Sequence, residues 1–145
     1  MSLPVVMSGH ALVAGDCTGE ALALDQPLSL WGGADPVSGS IIDQHHPQRG
    51  ALLSGRVLVM RSGRGSSSSS GALLEMARLG THPTAVLLAD ADPIIALGAI
   101  VARELYSLTV PVVVVAAGDL SRIRTGDRLT IAVDGSVEHV GGRGR

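Results

Sequence analysis

Between residues 61 and 71 the chain reads RSGRGSSSSSG: Arg64 stands between Gly63 and Gly65, and five serines follow in succession, Ser66 to Ser70. Hydroxyls beside a fixed cation suit the holding of an anion. The Arg64 guanidinium presents a planar fork that matches a carboxylate or a phosphate. Glycines let the backbone turn sharply and come close to a ligand. An apolar stretch, RVLVMR (56–61), precedes the run, and a helix-like stretch, ALLEMARLG (72–80), follows it. A helix N-terminus leaves backbone N–H groups without partners, and these favour negative charge ahead of them.

The known phosphate loops fit poorly. The dinucleotide pattern G-x-G-x-x-G needs a glycine where Ser68 stands, and Asp90 and Asp92 are only loosely placed as its acidic partner. The P-loop needs a lysine, whereas all 11 basic residues are arginine. That composition also removes any Schiff-base lysine from this chain. From the residues alone the run stays open between an anion cradle, helix capping by Ser68 to Ser70, and a Gly/Ser linker. The flanking segments stand too close together for a linker between two domains.

Other chemical candidates are thinner. Asp43, His45 and His46 lie in DQHHP (43–47), but adjacent loop residues rarely share one ion, so a polar loop or an interface is the default. Asp35 in GGADP reads as a turn former, and Asp92 as a helix N-cap before Pro93. Cys17 is the only cysteine. It cannot form an internal disulfide, and it cannot alone hold zinc or an iron–sulfur cluster. His10, His82 and His139 are scattered and carry no evident role.

The elements that must position these residues follow from pattern. HALVAG (10–15), EALALD (20–25) and LSLW (28–31) read as strands. WGGADPVSGSIIDQHHPQRG (31–50) reads as a long loop, of a length that compact domains usually keep for function. Strands are predicted at 56–61, 85–89 and 110–115, with helices at 72–79, closed by Gly80, and at 92–106. Residues 125–140 read as a hairpin turning at Asp134-Gly135. Strand–helix alternation in the middle predicts parallel pairing by right-handed crossovers. The expected fold is α/β, with a layered or barrel-like β part, as a single domain over 1–140 and a disordered tail over 141–145. The 145 residues carry a net charge of −2, 46% apolar residues, one Trp, one Tyr and no Phe. Such a core is aliphatic, and no basic field for nucleic acid exists. No secretory signal opens the chain, and the longest uncharged apolar run (108–117) is too short for a bilayer. These observations predict a cytoplasmic protein with neither a nucleic-acid nor a membrane partner.

Three segments, LSLWGGADPVSGSIIDQHHP, RSGRGSSSSSGALLEMARLG and ADPIIALGAIVARELYSLTVPVVVV, resemble the small subunit, or swivelling domain, of the aconitase X group. They occur in the family's order and span roughly residues 9–116. The resemblance implies a swivelling β/β/α domain and a hydro-lyase active only with a large subunit. It also implies iron or an iron–sulfur cluster on that partner, and none on this chain. In the wider superfamily a Gly-x-Gly-Ser-Ser turn supplies a serine base. The matching residues are Gly63, Gly65, Ser66 and Ser67. Ser66 is then the catalytic base, with Arg64, Gly65 and Ser67 binding a small carboxylate substrate, and Asp35 and His46 at the site rim or a subunit interface. The superfamily turn often continues with an arginine and a histidine; here Ser68 to Ser70 continue it, which leaves Arg64 as the only nearby cation. The implied reaction is dehydration of cis-3-hydroxy-L-proline to a pyrroline-2-carboxylate, with phosphomevalonate dehydration as the alternative. A reading of another class is a stand-alone module that binds small anions without catalysis.

Overall fold

The computed structural model describes residues 3–141. Its elements are strands β1 (Val5–Met7), β2 (Gly9–Val13) and β3 (Cys17–Ala23), a short turn of helix α1 (Leu30–Gly33), strand β4 (Val57–Met60), helix α2 (Ser69–Leu79), strand β5 (Ala85–Leu88), helix α3 (Pro93–Tyr106), strand β6 (Val112–Val115), the single turn α4 (Ala117–Leu120), and strands β7 (Arg128–Ile131) and β8 (Val137–Val140). Eight strands form one sheet in the order β1-β8-β7-β3-β4-β5-β6-β2. The pairings β4-β5 and β5-β6 are parallel, as the alternation of strands and helices predicts, and β3-β4, joined across the long loop, is parallel as well. The flanking pairs are antiparallel. The two ends of the sheet come together at the β7–β8 turn, where a Cβ on Gly9 would stand 2.3 Å from the Gly135 carbonyl oxygen. The sheet is therefore a nearly closed barrel, and only glycine fits where its ends meet.

Strands β4 and β5 are buried on both faces and β6 nearly so, which is why they read as continuous apolar runs. Val57, Val59, Ala85, Leu87, Val113 and Val115 point into the barrel with Leu129, Ile131 and Val137. Leu58, Met60, Val86 and Leu88 point outward and pack under α2 and α3 through Leu73, Met76, Ile95 and Ala99. Burying each such aliphatic side chain is worth about 1.5–3 kcal/mol. This aliphatic interdigitation replaces the missing aromatic core.

The helix signals hold. Asp92 caps α3: its Oδ1 accepts from Ile94 N at 2.9 Å and from Ile95 N at 3.1 Å, with Pro93 at the first helical position. Gly80 ends α2 in the left-handed conformation, at φ 76°. The predicted hairpin is present, and Ser136 donates from N and Oγ to Asp134 Oδ1, which holds that carboxyl below its usual range. His139, to which the sequence assigned nothing, is buried inside this region. Its Nε2 meets Asp127 Oδ2 at 2.6 Å, and Arg124 N donates to the same oxygen.

Some expectations are corrected. LSLW is not a strand. Only Leu28 pairs, through an isolated parallel bridge to Gly63, and the chain then enters α1. Within α1, Trp31 (φ −74°, ψ 119°) and Gly32 (φ 79°, ψ −20°) take the angles of a type II turn. β1 and α4 were not anticipated; both are too short to show a period. Helix α2 begins at Ser69, inside the serine run and three residues earlier than predicted. The loop 31–50 is braced by bridges between Ala34 and Ile41 and between Ser40 and Leu52. The tail predicted to be disordered falls, Gly141 apart, outside the described residues.

Candidate functional site

The serine turn sits where β4 ends and α2 begins, at the carboxyl ends of the parallel strands. That is the edge at which open α/β sheets collect ligands. Three neighbours fix it. Upstream, Arg61 O accepts from Ala89 N and Asp90 N at 3.0 and 2.9 Å, so the ends of β4 and β5 are tied together. Beside it, Gly63 bridges Leu28, whose carbonyl accepts from Arg64 N at 3.3 Å. Behind it stands Asp92. A Cβ on Gly63 would lie 2.0 Å from Asp92 Oδ2 and 3.2 Å from Ile95 Cδ1. Neither Gly63 nor Gly65 has a positive φ. Gly63 is glycine because α3 leaves no room for a side chain, a reason different from the sharp turn expected of it. At Gly65 an added Cβ would meet nothing within 4 Å, so that face is open.

The five serines divide by task. Ser66 is half-buried. Its Oγ accepts from Ser68 N at 3.2 Å, and its carbonyl accepts from Ser69 N at 3.0 Å, which folds 66–69 into a tight turn. Ser67 and Ser68 are exposed. Ser69 is buried, with its Oγ 3.4 Å from Ser29 Oγ and accepting from Trp31 N at 3.5 Å. Ser70 donates from Oγ to the carbonyl of Ile94 on α3. The expected capping by Ser68 to Ser70 does not occur: Ser68 occupies the N-cap position without a side-chain cap bond. Ser69 and Ser70 instead fasten the helix start to α1 and α3, while Ser66, Ser67 and Arg64 are left facing out.

This arrangement can hold an anion and weakly activate a hydroxyl. Arg64 is exposed, and its guanidinium has no ion pair among the described residues. The start of an 11-residue helix favours negative charge by about 0.3–1 kcal/mol, up to ~2 in partly buried geometry. A hydrogen bond donated to Ser66 Oγ favours its charged form in the same direction. At 1.4 kcal/mol per decade, the helix supplies roughly one decade of acidity. Any further acidity would have to come from Arg64 and from excluding water.

The remaining candidates are engaged in contacts of their own. Asp35 accepts from Val37 N and Ser38 Oγ, each at 3.0 Å, and so forms the turn its sequence suggests. His46 is buried; its Nε2 meets the Gln26 carbonyl at 3.0 Å and its Nδ1 accepts from Gln48 N at 3.0 Å. Both its ring nitrogens anchor the loop. Asp43 Oδ1 accepts from His45 N, another local turn. Cys17 is partly buried, and burial, with the Asp16 charge adding, pushes its thiol up to about 11. Among the described residues no three His, Cys, Asp or Glu side chains gather as a metal site. None of their helices is long and apolar enough to cross a membrane.

The model of the aconitase X swivel domain matches residues 6–140. The chain belongs to this family. A cis-3-hydroxy-L-proline dehydratase from Pseudomonas aeruginosa is 50% identical over 103 residues, covering 71% of this chain and 18% of that protein. A phosphomevalonate dehydratase small subunit from Thermococcus gammatolerans is 32% identical over 137 residues, covering 94% of this chain and 98% of that subunit. The crystal structure of Thermococcus kodakaraensis aconitase X in its holo-form superposes with a TM-score of 0.84 at 30% identity, over 94% of this chain and 99% of that one. The swivel domain thus spans less than a fifth of the hydroxyproline dehydratase and nearly all of the phosphomevalonate dehydratase small subunit. The family assignment and the barrel-like α/β fold stand together.

Proposed function

We propose that this chain is the small, swivelling part of an aconitase X-type dehydratase and that Ser66 is its base. The observation that carries this reading is the division of the serine run. Ser69 and Ser70 are spent on anchoring, whereas Ser66 faces out with a backbone donor on its Oγ and the free Arg64 two residues away. Arg64 grips the substrate carboxylate, and Ser67 with the open backbone at Gly65 completes the cradle. Ser66 takes the proton α to the carboxylate, and the β-hydroxyl departs. For cis-3-hydroxy-L-proline the resulting enamine tautomerises to the cyclic imine, pyrroline-2-carboxylate, with loss of one water.

The aconitase resemblance implies an iron group, which would supply a Lewis acid for the leaving hydroxyl. We assign that group to the large subunit, as the resemblance implies. This chain's part is limited to binding and to the proton. Asp35 shapes the loop at the rim of the site, and His46 holds that loop from beneath. The protein acts in the cytoplasm as one half of a two-subunit assembly.

Hydroxyproline is the favoured substrate. Relatives named for it, from Pseudomonas aeruginosa and Hypocrea jecorina, are 50% and 41% identical. A second reading rests on length: small subunits named for phosphomevalonate match at 32–44% identity, two of them over 85% and 94% of this chain and 89% and 98% of their own length. Reconstitution decides between them. The chain is mixed with the large aconitase X subunit from the same genome and given each hydroxy acid in turn. Pyrroline-2-carboxylate formation by the mixture, and by neither component alone, supports the proposal. Tight binding of a small carboxylate by this chain alone, without turnover in the mixture, supports an anion-binding module instead.

A further inference from the structure

A groove of about 650 Å³ runs beside the serine turn, between α1 and the first turns of α2. Trp31, Pro36 and Ile42 form one wall, and Ser68, Ala72 and Glu75 the other. Trp31 is the only tryptophan of the chain and is 59% exposed; Ile42 is 45% exposed. The backbone beneath the indole is held in place. Gly32 supplies the left-handed residue of the turn, Trp31 N donates to the buried Ser69 hydroxyl, and the Trp31 carbonyl accepts from Ser29 Oγ at 3.0 Å. An indole on a fixed turn loses little freedom when it is covered, which is the property of an interface anchor.

We propose that this groove seats an apolar segment of the large aconitase X subunit, with Trp31 as the anchor. The inference rests on the reading that this domain works with such a partner. Two observations choose the occupant. First, Ser68 is in the groove wall, two residues from Ser66, so a body that brings substrate to Ser66 comes down over Trp31. Second, the hydroxyproline dehydratases carry this domain as less than a fifth of a longer chain, so a much larger body belongs beside it. The groove suits an uncharged segment, because its one acid, Glu75, is already paired with Arg78. A second apolar groove on α3, lined by Leu12, Pro93, Leu97 and Ile100, shares no residue with the serine run.

Labelling this chain with 5-fluorotryptophan gives one ¹⁹F resonance, from residue 31. On titration with the large subunit that resonance is expected to shift and to lose its H₂O/D₂O solvent effect. Trp31→Ala and Ile42→Asp, both at exposed positions and with native circular dichroism, are each expected to weaken association by about tenfold or more. Leu97→Glu on α3 is expected to leave it unchanged. A complex that forms with the resonance unmoved, or that tolerates both groove variants, overturns the groove alone. The absence of any complex overturns the two-subunit reading and the groove with it. A resonance that shifts on concentrating this chain by itself, with a dimer in sedimentation, assigns the groove to a second copy and also overturns the proposal.

Discussion

A methyl group on Gly63 would stand 2.0 Å from the Asp92 carboxylate, so the serine turn and the start of α3 are packed as one piece. Asp92 can swing aside only by giving up the bonds that its other oxygen accepts from Ile94 N and Ile95 N. Gly63→Ala is therefore expected to break the α3 cap, with a loss of about 0.5–2 kcal/mol or more. Asp92→Ala loses the same cap directly. Because the two share one lesion, the double variant is expected to lose less than the sum of the singles. Urea unfolding of the four proteins measures this. Additive losses would mean that the contact is not what couples the two sites.

Helix α2 is held against α3 at two points close to the serine turn. Ser70 donates to the Ile94 carbonyl, and a Cβ on Gly98 would lie 2.8 Å from the Ser70 carbonyl oxygen. Ser70→Ala is expected to cost about 0.5–1.5 kcal/mol. Gly98→Ala forces the helices apart and is expected to cost about 1–3 kcal/mol. Both losses should appear in thermal unfolding. In the reconstituted enzyme Ser70→Ala should leave the pH profile of kcat unmoved, since its hydroxyl carries no proton of the reaction.

Arg64 is the one cation the turn presents. Arg64→Lys keeps the charge but loses the bidentate fork. It is expected to raise KM by about tenfold or more, while kcat falls much less, since the interaction is made in ground and transition states alike. Steady-state kinetics of the reconstituted enzyme separates the two. A change confined to kcat would place Arg64 at the reacting centre instead.

Cys17 offers a pH test of the barrel. Its thiol is raised from 9.0 to about 11 in the folded chain. A group whose folded pKa is raised adds stability below the unfolded pKa and loses it as pH rises through the folded one. Stability is therefore expected to fall between pH 9 and 11, and Cys17→Ala should remove that part of the slope. At pH 8 alkylation of the folded thiol should be about a hundredfold slower than in urea, in step with the thiolate fraction. Equal rates would show that the thiol is not shielded as described.

Much of this was legible in the chain. The apolar runs at 56–61, 85–89 and 110–115 carry the parallel strands because a strand buried on both faces needs no alternation. Asp92-Pro93 and Gly80 marked helix ends through local capping chemistry. LSLW misled because Leu28 and Leu30 are buried by tertiary contacts, while Gly32 turns the chain between them and the loop. The tasks of Ser69 and Ser70 could not be read, since each bonds to a segment far away in sequence. The pairing of His139 with Asp127 was hidden for the same reason. A five-serine run looks uniform in one dimension, and only the positions of α1 and α3 tell its members apart.

The α-proton of the substrate tests the role of Ser66 most directly. Its exchange with solvent deuterium is followed by NMR in the complete two-subunit complex, with wild-type chain and with Ser66→Ala. The variant gives up one hydrogen bond, from Ser68 N, and should fold with a loss of about 0.5–1 kcal/mol. Exchange and turnover are expected to fall together by about 10²–10⁴. Exchange at the wild-type rate in Ser66→Ala would contradict the assignment, because another group would then be taking the proton.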